Sequence, residues 1–191
     1  MNNSNFDLET ERLIIRRPTI DDADGIFTHT NDPIVTKYLL FKPHKSIEET
    51  LDFIRLSFEE WEKKKRYGFV VLSKADSRII GGIGLAFDDD KEGVARLGYF
   101  LGQKEWGKGY ATEACMKMIE FAKESGVKHL ISPMHPENIA SIRVMEKCGF
   151  QEDSAATETL FMPNIGGTVK LVGLSRAMSM SVPPSNSIWE G

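Results

Sequence analysis

The segment QKEWGKGYATEACMKMIEFAK runs from Gln103 to Lys123. It sets Gly107, Lys108 and Gly109 directly against a helical repeat of apolar residues. The first turn of a helix carries backbone N–H groups that have no partner within the helix, and the dipole adds partial positive charge there. An anion fits that end without help from any side chain. Glycines admit close approach to the backbone and allow unusual dihedrals. The run Gly107, Lys108, Gly109, Tyr110, Ala111 and Thr112 therefore offers consecutive amides to a pyrophosphate, with the Lys108 charge at the rim. A plain turn before a helix is the other reading of the same letters. Two familiar phosphate patterns fail on spacing. Lys108 is followed by Gly109 rather than Ser or Thr, against the P-loop, and Thr112 stands where a dinucleotide fingerprint needs its third glycine.

Upstream of this segment lie three strand signals: YGFVVLS, RIIGGIGLAF and GVARLGYFLG, the second with glycines that suggest a bend or bulge. Before them, RLIIRRP reads as a strand closed by proline, and TIDDADGIFTHT as a helix with Thr19 or Asp21 at its N-cap. Residues Ser46 to Arg66 read as a helix with a capping-box start, Leu51, Ile54, Phe58 and Trp61 forming its apolar stripe. Its basic end, Lys63 to Arg66, suits a solvated last turn beside the negative end of the dipole. Downstream, Gly126 closes the central helix. KHLISP is a short strand, NIASIRVMEKCGF a helix from Asn138 to Gly149, GFQED the start of a strand and VKLVGLSRAM the last strand. The pattern is a mixed α/β layer with helices on both faces. Residues 1–178 read as one domain, and 179–191 as a loosely ordered tail in which Trp189 is available to dock.

The 191 residues are long enough for one sizeable core. A charged fraction of 27% fits a soluble globular chain, and a net charge of -4 argues against general nucleic-acid binding. Cys115 and Cys148 sit among apolar neighbours, as buried thiols of a reducing compartment do. His29, His44, His129 and His135 have no metal-ligand spacing. The N-terminus shows no signal-peptide pattern and no run reaches the length of a membrane span, so a cytoplasmic location is expected.

ARLGYFLGQKEWGKGYATEA followed by HPENIASIRVMEKCGF resembles the GNAT superfamily of acyl-CoA-dependent N-acetyltransferases. With LETERLIIRRPTIDDADGIF and NDPIVTKYL, it looks most like the branch of ribosomal-protein N-terminal acetyltransferases, over roughly Leu8 to Met178. The resemblance implies a mixed α/β (α+β) fold: a mostly antiparallel mixed sheet of about seven strands, splayed in the middle, between helices. It implies acetyl-CoA as cosubstrate with no metal, a primary amine as acceptor (a protein N-terminus or a small molecule), and a monomer or homodimer.

By the same resemblance, Trp106-Gly107-Lys108-Gly109-Tyr110-Ala111 occupies the family's [Q/R]-x-x-G-x-[G/A] pattern, with Trp106 in the Gln or Arg position. The amides from Gly107 to Thr112 would hold the coenzyme A pyrophosphate. The strand end Tyr99-Phe100-Leu101 would pair its free backbone with the pantetheine amides, as an added strand does. A backbone N–H near Leu101 would stabilise the oxyanion. Asn138 would bind the coenzyme arm or a water, and Ser141 would serve the thioester sulfur. Read without the resemblance, Asn138 is an N-cap and Ser141 an ordinary helix residue. Met145 stands where many members carry a tyrosine for the sulfur, which moves that role to Ser141. A base is less defined. Arg96 stands where a carboxylate is common, His135 and Glu137 precede the Asn138 helix, and Glu113 suits a structural hydrogen bond. Residues 30–45 and 155–167 supply the acceptor loops, with Tyr38, Phe41 and His44 lining a pocket or simply packing. A catalytically inactive acyl-CoA-binding module is the alternative function.

Overall fold

Residues 7–178 are described by the computed structural model. In chain order they form β1 (Leu8–Glu9), β2 (Leu13–Arg16), α1 (Ala23–Thr30), α2 (Pro33–Thr36), α3 (Ile47–Glu62), β3 (Arg66–Ser73), β4 (Ile79–Phe87) and β5 (Val94–Leu101). Then come α4 (Tyr110–Glu124), β6 (His129–Ile131), α5 (Ile139–Lys147), β7 (Gln151–Glu152), β8 (Thr159–Met162), β9 (Gly167–Lys170) and β10 (Leu174–Ala177). The proposed tail at 179–191, with Trp189, lies outside the described residues.

Eight strands make one sheet in the order β1-β2-β3-β4-β5-β6-β10-β7, and β8 and β9 form a separate hairpin. Every pairing is antiparallel except β5 with β6. This is the mixed α/β arrangement expected from the sequence. Strand β5 alternates strictly between the two faces. Its Ala95, Leu97 and Leu101 enter the larger core with Cys115, Met118 and Ile119 of α4 and Met145 of α5. On the opposite face, Ile26 of α1 and Ile54 of α3 pack on Val70 and Leu72 of β3. Helices thus cover both sides, burying apolar stripes at three- and four-residue spacing. Among the described residues no helix is long and apolar enough to cross a membrane.

Local chemistry explains most boundaries. Ser46 caps α3 by accepting from Glu49 N–H, while Glu49 reaches back to Lys45 N–H, one residue earlier than a standard capping box. Helix α3 stops at Glu62 rather than at Arg66, because Lys64 adopts a left-handed φ of 54° and Arg66 already starts β3. The β3–β4 register slips between Val71 and Leu72, the irregularity that the β4 glycines suggested. One expectation is corrected. VKLVGLSRAM is two strands in two sheets, β9 and β10, broken at Gly173. A Cβ at Gly173 would lie 2.3 Å from both Asp153 O and Thr157 N, so the chain crosses there only because the residue is glycine.

Candidate active site

Gly107 and Gly109 hold φ of 75° and 83°, and Gly109 is the N-cap of α4. L-residues avoid that region, so the loop needs glycine for its shape. A Cβ added to Gly107 would meet no heavy atom within 4 Å, which leaves the loop surface open. The helix ladder begins with Glu113 N–H on Gly109 O. Ahead of it, the N–H groups of residues 107–112 have no partner among the described residues. The arrangement fits a pyrophosphate: consecutive donors at the positive end of a 15-residue helix, with open space at Gly107.

The loop is anchored from beneath. Glu113 accepts from Thr10 Oγ1 at 2.6 Å, from Arg12 N–H at 2.9 Å and from Arg12 Nε at 2.7 Å. Arg12 also donates to Lys108 O at 3.0 Å and stacks over the Tyr110 ring. Burial pushes the Glu113 carboxyl up, but the hydrogen bonds from Thr10 and Arg12, with the Arg12 charge, outweigh it and hold the group below its ordinary value. Glu113 is thus tied into the structure in the way its sequence position suggested. Lys108 differs from expectation in one respect. Its ammonium pairs with the buried Glu105, which also meets Arg78, so its charge is engaged within the loop. Trp106 is half exposed and donates its indole N–H to Leu101 O at 2.8 Å, tying the loop to the end of β5.

The pairing of β5 with β6 covers only Val94, Ala95 and Arg96. Ser132 Oγ then bonds Leu97 O, and Ser132 N–H and Met134 N–H turn to Leu174 O and Val172 O. The two strands part, and β5 runs on alone on that side. Gly102 N–H bonds Ile80 O toward β4, so alternation turns the Tyr99 and Leu101 backbones toward the gap. Trp106 takes the Leu101 carbonyl. Leu101 N–H and both polar groups of Tyr99 are left to pair with an amide chain. Phe100 turns its backbone toward Gly82 and contributes its ring on the opposite face.

Across the gap stands α5. Asn138 caps it, Oδ1 accepting from Ser141 N–H at 3.3 Å. Ser141 Oγ lies 3.1 Å from the Tyr99 hydroxyl. Burial, outweighing the Ser141 hydrogen bond, pushes the Tyr99 phenol well above its ordinary value, so it stays protonated. Met145, one turn further on, is fully buried in the core. The sequence pointed to a backbone role alone for Tyr99. The phenol's reach to Ser141 joins residues 42 apart and carries no local sequence signal.

The other face of β5 presents Arg96, Gly98 and Phe100. Phe100 meets Phe41 edge-on, and Phe41 packs on His44 and Phe53. His44 is buried, bonds Thr50 Oγ1 through Nδ1, and is pushed down by burial against the opposing charge of Glu49. Phe41 and His44 therefore pack, while Tyr38 stacks on His135 with ring centroids 4.6 Å apart. His135 Nδ1 accepts from Glu137 N–H. Arg96 forms an ion pair with Glu158 beside the β8–β9 hairpin. Gly98 is exposed, a Cβ there would meet no heavy atom within 4 Å, and it pairs with Gly84, which pairs with Gly68. Asn164, at the hairpin turn, gives its amide to Thr36 O, Leu39 O and Phe41 O at 2.7, 3.2 and 2.8 Å. It joins the two acceptor segments expected from the sequence.

A splayed sheet with an amide cradle beside the free strand edge defines an acyl-coenzyme A-dependent acyltransferase. The acetyltransferase (GNAT) domain family matches residues 12–151, and the chain belongs to that family. Among curated relatives, an uncharacterized N-acetyltransferase of Bacillus licheniformis, p20, is 32% identical over 147 residues, 76% of this chain and 83% of its own. Among solved structures, a putative ribosomal-protein-serine acetyltransferase from Vibrio cholerae superposes with TM-score 0.76 at 23% identity, covering 93% of this chain and 100% of that one. A spermidine N-acetyltransferase from Vibrio cholerae, solved with CoA and spermine, gives TM-score 0.75 at 19% identity, covering 89% and 98%. Similar folds thus come from several branches. The superfamily stands, and the narrower ribosomal-protein branch read from the sequence is not singled out.

Proposed function

We propose that the chain transfers the acetyl group of acetyl-CoA to a primary amine by direct attack in a ternary complex. The observation that carries this reading is the conjunction at the C-terminal end of β5. The unpartnered amides of residues 107–112, the free edge at Tyr99 and Leu101, and the Tyr99–Ser141 pair all converge there. Acetyl-CoA supplies an activated thioester: the neutral amine attacks its carbonyl carbon, a C–N bond forms as the C–S bond breaks, and the proton lost by the nitrogen balances the one taken up by the thiolate. The amides from Gly107 to Thr112, flanked by Trp106, hold the pyrophosphate. Tyr99, with both of its backbone groups free, pairs with the pantetheine arm, whose other side faces Asn138. Leu101 N–H stabilises the oxyanion. Ser141 donates to the departing sulfur.

The acceptor enters from the face of Phe100, Gly98 and Arg96, between the segment that holds Tyr38 and the β8–β9 hairpin. It is a protein N-terminus or a small-molecule amine. A peptide α-amine, with a pKa of about 7.7–8.0, is partly neutral near pH 7, whereas a lysine amine near about 10.4 needs a base or a desolvated site.

The test has two parts: calorimetry with acetyl-CoA, and acetyl-CoA-dependent thiol release with pooled N-terminal peptides, aminoglycosides, polyamines and amino acids. Binding together with release above the no-acceptor rate in one pool is expected, and that pool gives the acceptor class. Binding without release from any pool indicates the acyl-CoA-binding module instead. No binding overturns the coenzyme site.

A further inference from the structure

We infer that Tyr99 is a positioning residue for Ser141: its side chain, reaching from β5 across the gap, holds the serine hydroxyl so that the serine's own proton points at the leaving sulfur. The inference rests on the transferase reading and deepens it. It begins from a question about α5. That helix presents Ser141 near the gap but buries Met145 one turn later, and the one polar side chain a turn earlier, its cap Asn138, has its oxygen taken by the Ser141 N–H. The polar partner of Ser141 comes from another element, the Tyr99 hydroxyl at 3.1 Å.

Three physical points favour a positioning role over simple packing. A helical serine left alone turns its hydroxyl back onto a carbonyl of the preceding turn, where its proton is used internally. A bond accepted from Tyr99 holds Ser141 Oγ outward instead. Secondly, the Tyr99 ring packs against the larger core, where phenylalanine would serve as well; the hydroxyl is the atom that meets Ser141. Thirdly, the Tyr99 hydroxyl donates to Ser141 Oγ, and burial keeps that phenol protonated, so it has its proton to give and passes none through a phenolate. Ser141 then has one accepted bond and one free O–H. The thiolate accepts that O–H as a hydrogen bond, and no covalent bond to either side chain forms or breaks.

The experiment reads the sulfur directly and needs no acceptor. Coenzyme A is bound to the full chain, and its thiol is titrated by ultraviolet thiolate absorbance. The protein's own titration, that of Cys115 and Cys148 beside Tyr99 included, is removed by subtracting the same titration with desulfo-coenzyme A. In the wild type the bound thiol should titrate below free coenzyme A. Tyr99→Phe should raise it by about half a unit to one unit, the size of one hydrogen bond between neutral groups. Ser141→Ala should raise it at least as far, and the double variant no further than Ser141→Ala alone. Thermal unfolding of Tyr99→Phe should stay close to the wild type, since the ring that packs on the core remains. A wild-type titration in Tyr99→Phe overturns the inference and leaves the hydroxyl as packing. Additive shifts in the double variant also overturn it, because Tyr99 would then act on the sulfur independently. Failure of the wild type to bind coenzyme A is a different result, and counts against the transferase reading itself.

Discussion

The two faces of β5 are built by different means. On the α4 and α5 face, the groups proposed to meet the coenzyme are mostly backbone: the amides of residues 107–112 and the strand edge at Tyr99 and Leu101. On the opposite face, the groups around the acceptor space are side chains from distant segments: Phe41 on Phe100, Arg96 with Glu158, and Asn164 on the carbonyls of Thr36, Leu39 and Phe41. A backbone site is indifferent to most substitutions around it and suits a ligand that never changes. A side-chain site can be rebuilt residue by residue. On the proposed reading, the acceptor face is then the part of the site that can change while the coenzyme frame stays fixed.

The sharpest way to break this contrast is Gly109→Val. A β-branched residue at a φ of 83° strains the backbone by about 1–2 kcal/mol and places methyl groups beside the amides. With loss of a phosphate contact, acetyl-CoA should bind roughly 100-fold more weakly by calorimetry. Unchanged affinity would mean that the glycines merely make a turn.

Gly98→Val asks the opposite question. A valine there has open space and suits a strand, so thermal unfolding should hold steady or rise. Acetyl-CoA affinity should not move, while kcat/KM for the acceptor identified by thiol release should fall about tenfold as the floor fills. Equal loss for coenzyme and acceptor would show that the two faces are not separate.

The same contrast explains what could be read from the chain. The glycine loop is contiguous, so Gly107, Gly109 and the helix repeat after them state its shape. The Asn138 cap is equally local, three residues from the N–H that it accepts. Asn164 meets Thr36 across 128 positions and Arg96 meets Glu158 across 62, and nothing in either neighbourhood announces the partner. Gly173 misled for a related reason. Its flanks have strand composition, and only the close approach of Asp153 and Thr157, distant in sequence, forces the break.

Asn164 gives a smaller effect and a choice of sign. Asn164→Ala removes the amide from three carbonyls, a change of about 1–2 kcal/mol partly offset by water. Acceptor KM should rise about threefold, with acetyl-CoA affinity unchanged. Asn164→Asp should be worse than alanine, because a carboxylate of the same shape faces three carbonyl oxygens with no donor. If aspartate matches asparagine, the amide is not what holds the two segments together.

The smallest expected effect concerns how each face is tied to the first strands. Glu113 of α4 is held by Thr10 and Arg12, and Asp22, just before α1, is held by both terminal nitrogens of Arg16 at 2.7 Å. Burial pushes the Asp22 carboxyl up, but the Arg16 and Thr19 hydrogen bonds and the Arg16 charge outweigh it, so both carboxyls lie below their ordinary values. A carboxyl depressed in the folded state binds protons more readily when unfolded. Its stabilisation is therefore full above the unfolded pKa, about 4, and is lost as pH falls through the folded value. Melting temperature should decline below about pH 4.5, and Asp22→Asn and Glu113→Gln should each flatten that decline. The two variants should part in acetyl-CoA binding near pH 7, where Glu113→Gln weakens affinity a few-fold by loosening the loop from Arg12, about 1 kcal/mol, and Asp22→Asn leaves it alone. If both variants weaken acetyl-CoA equally, the carboxylates act through the sheet as a whole, and the separation of the two faces fails at its foundation.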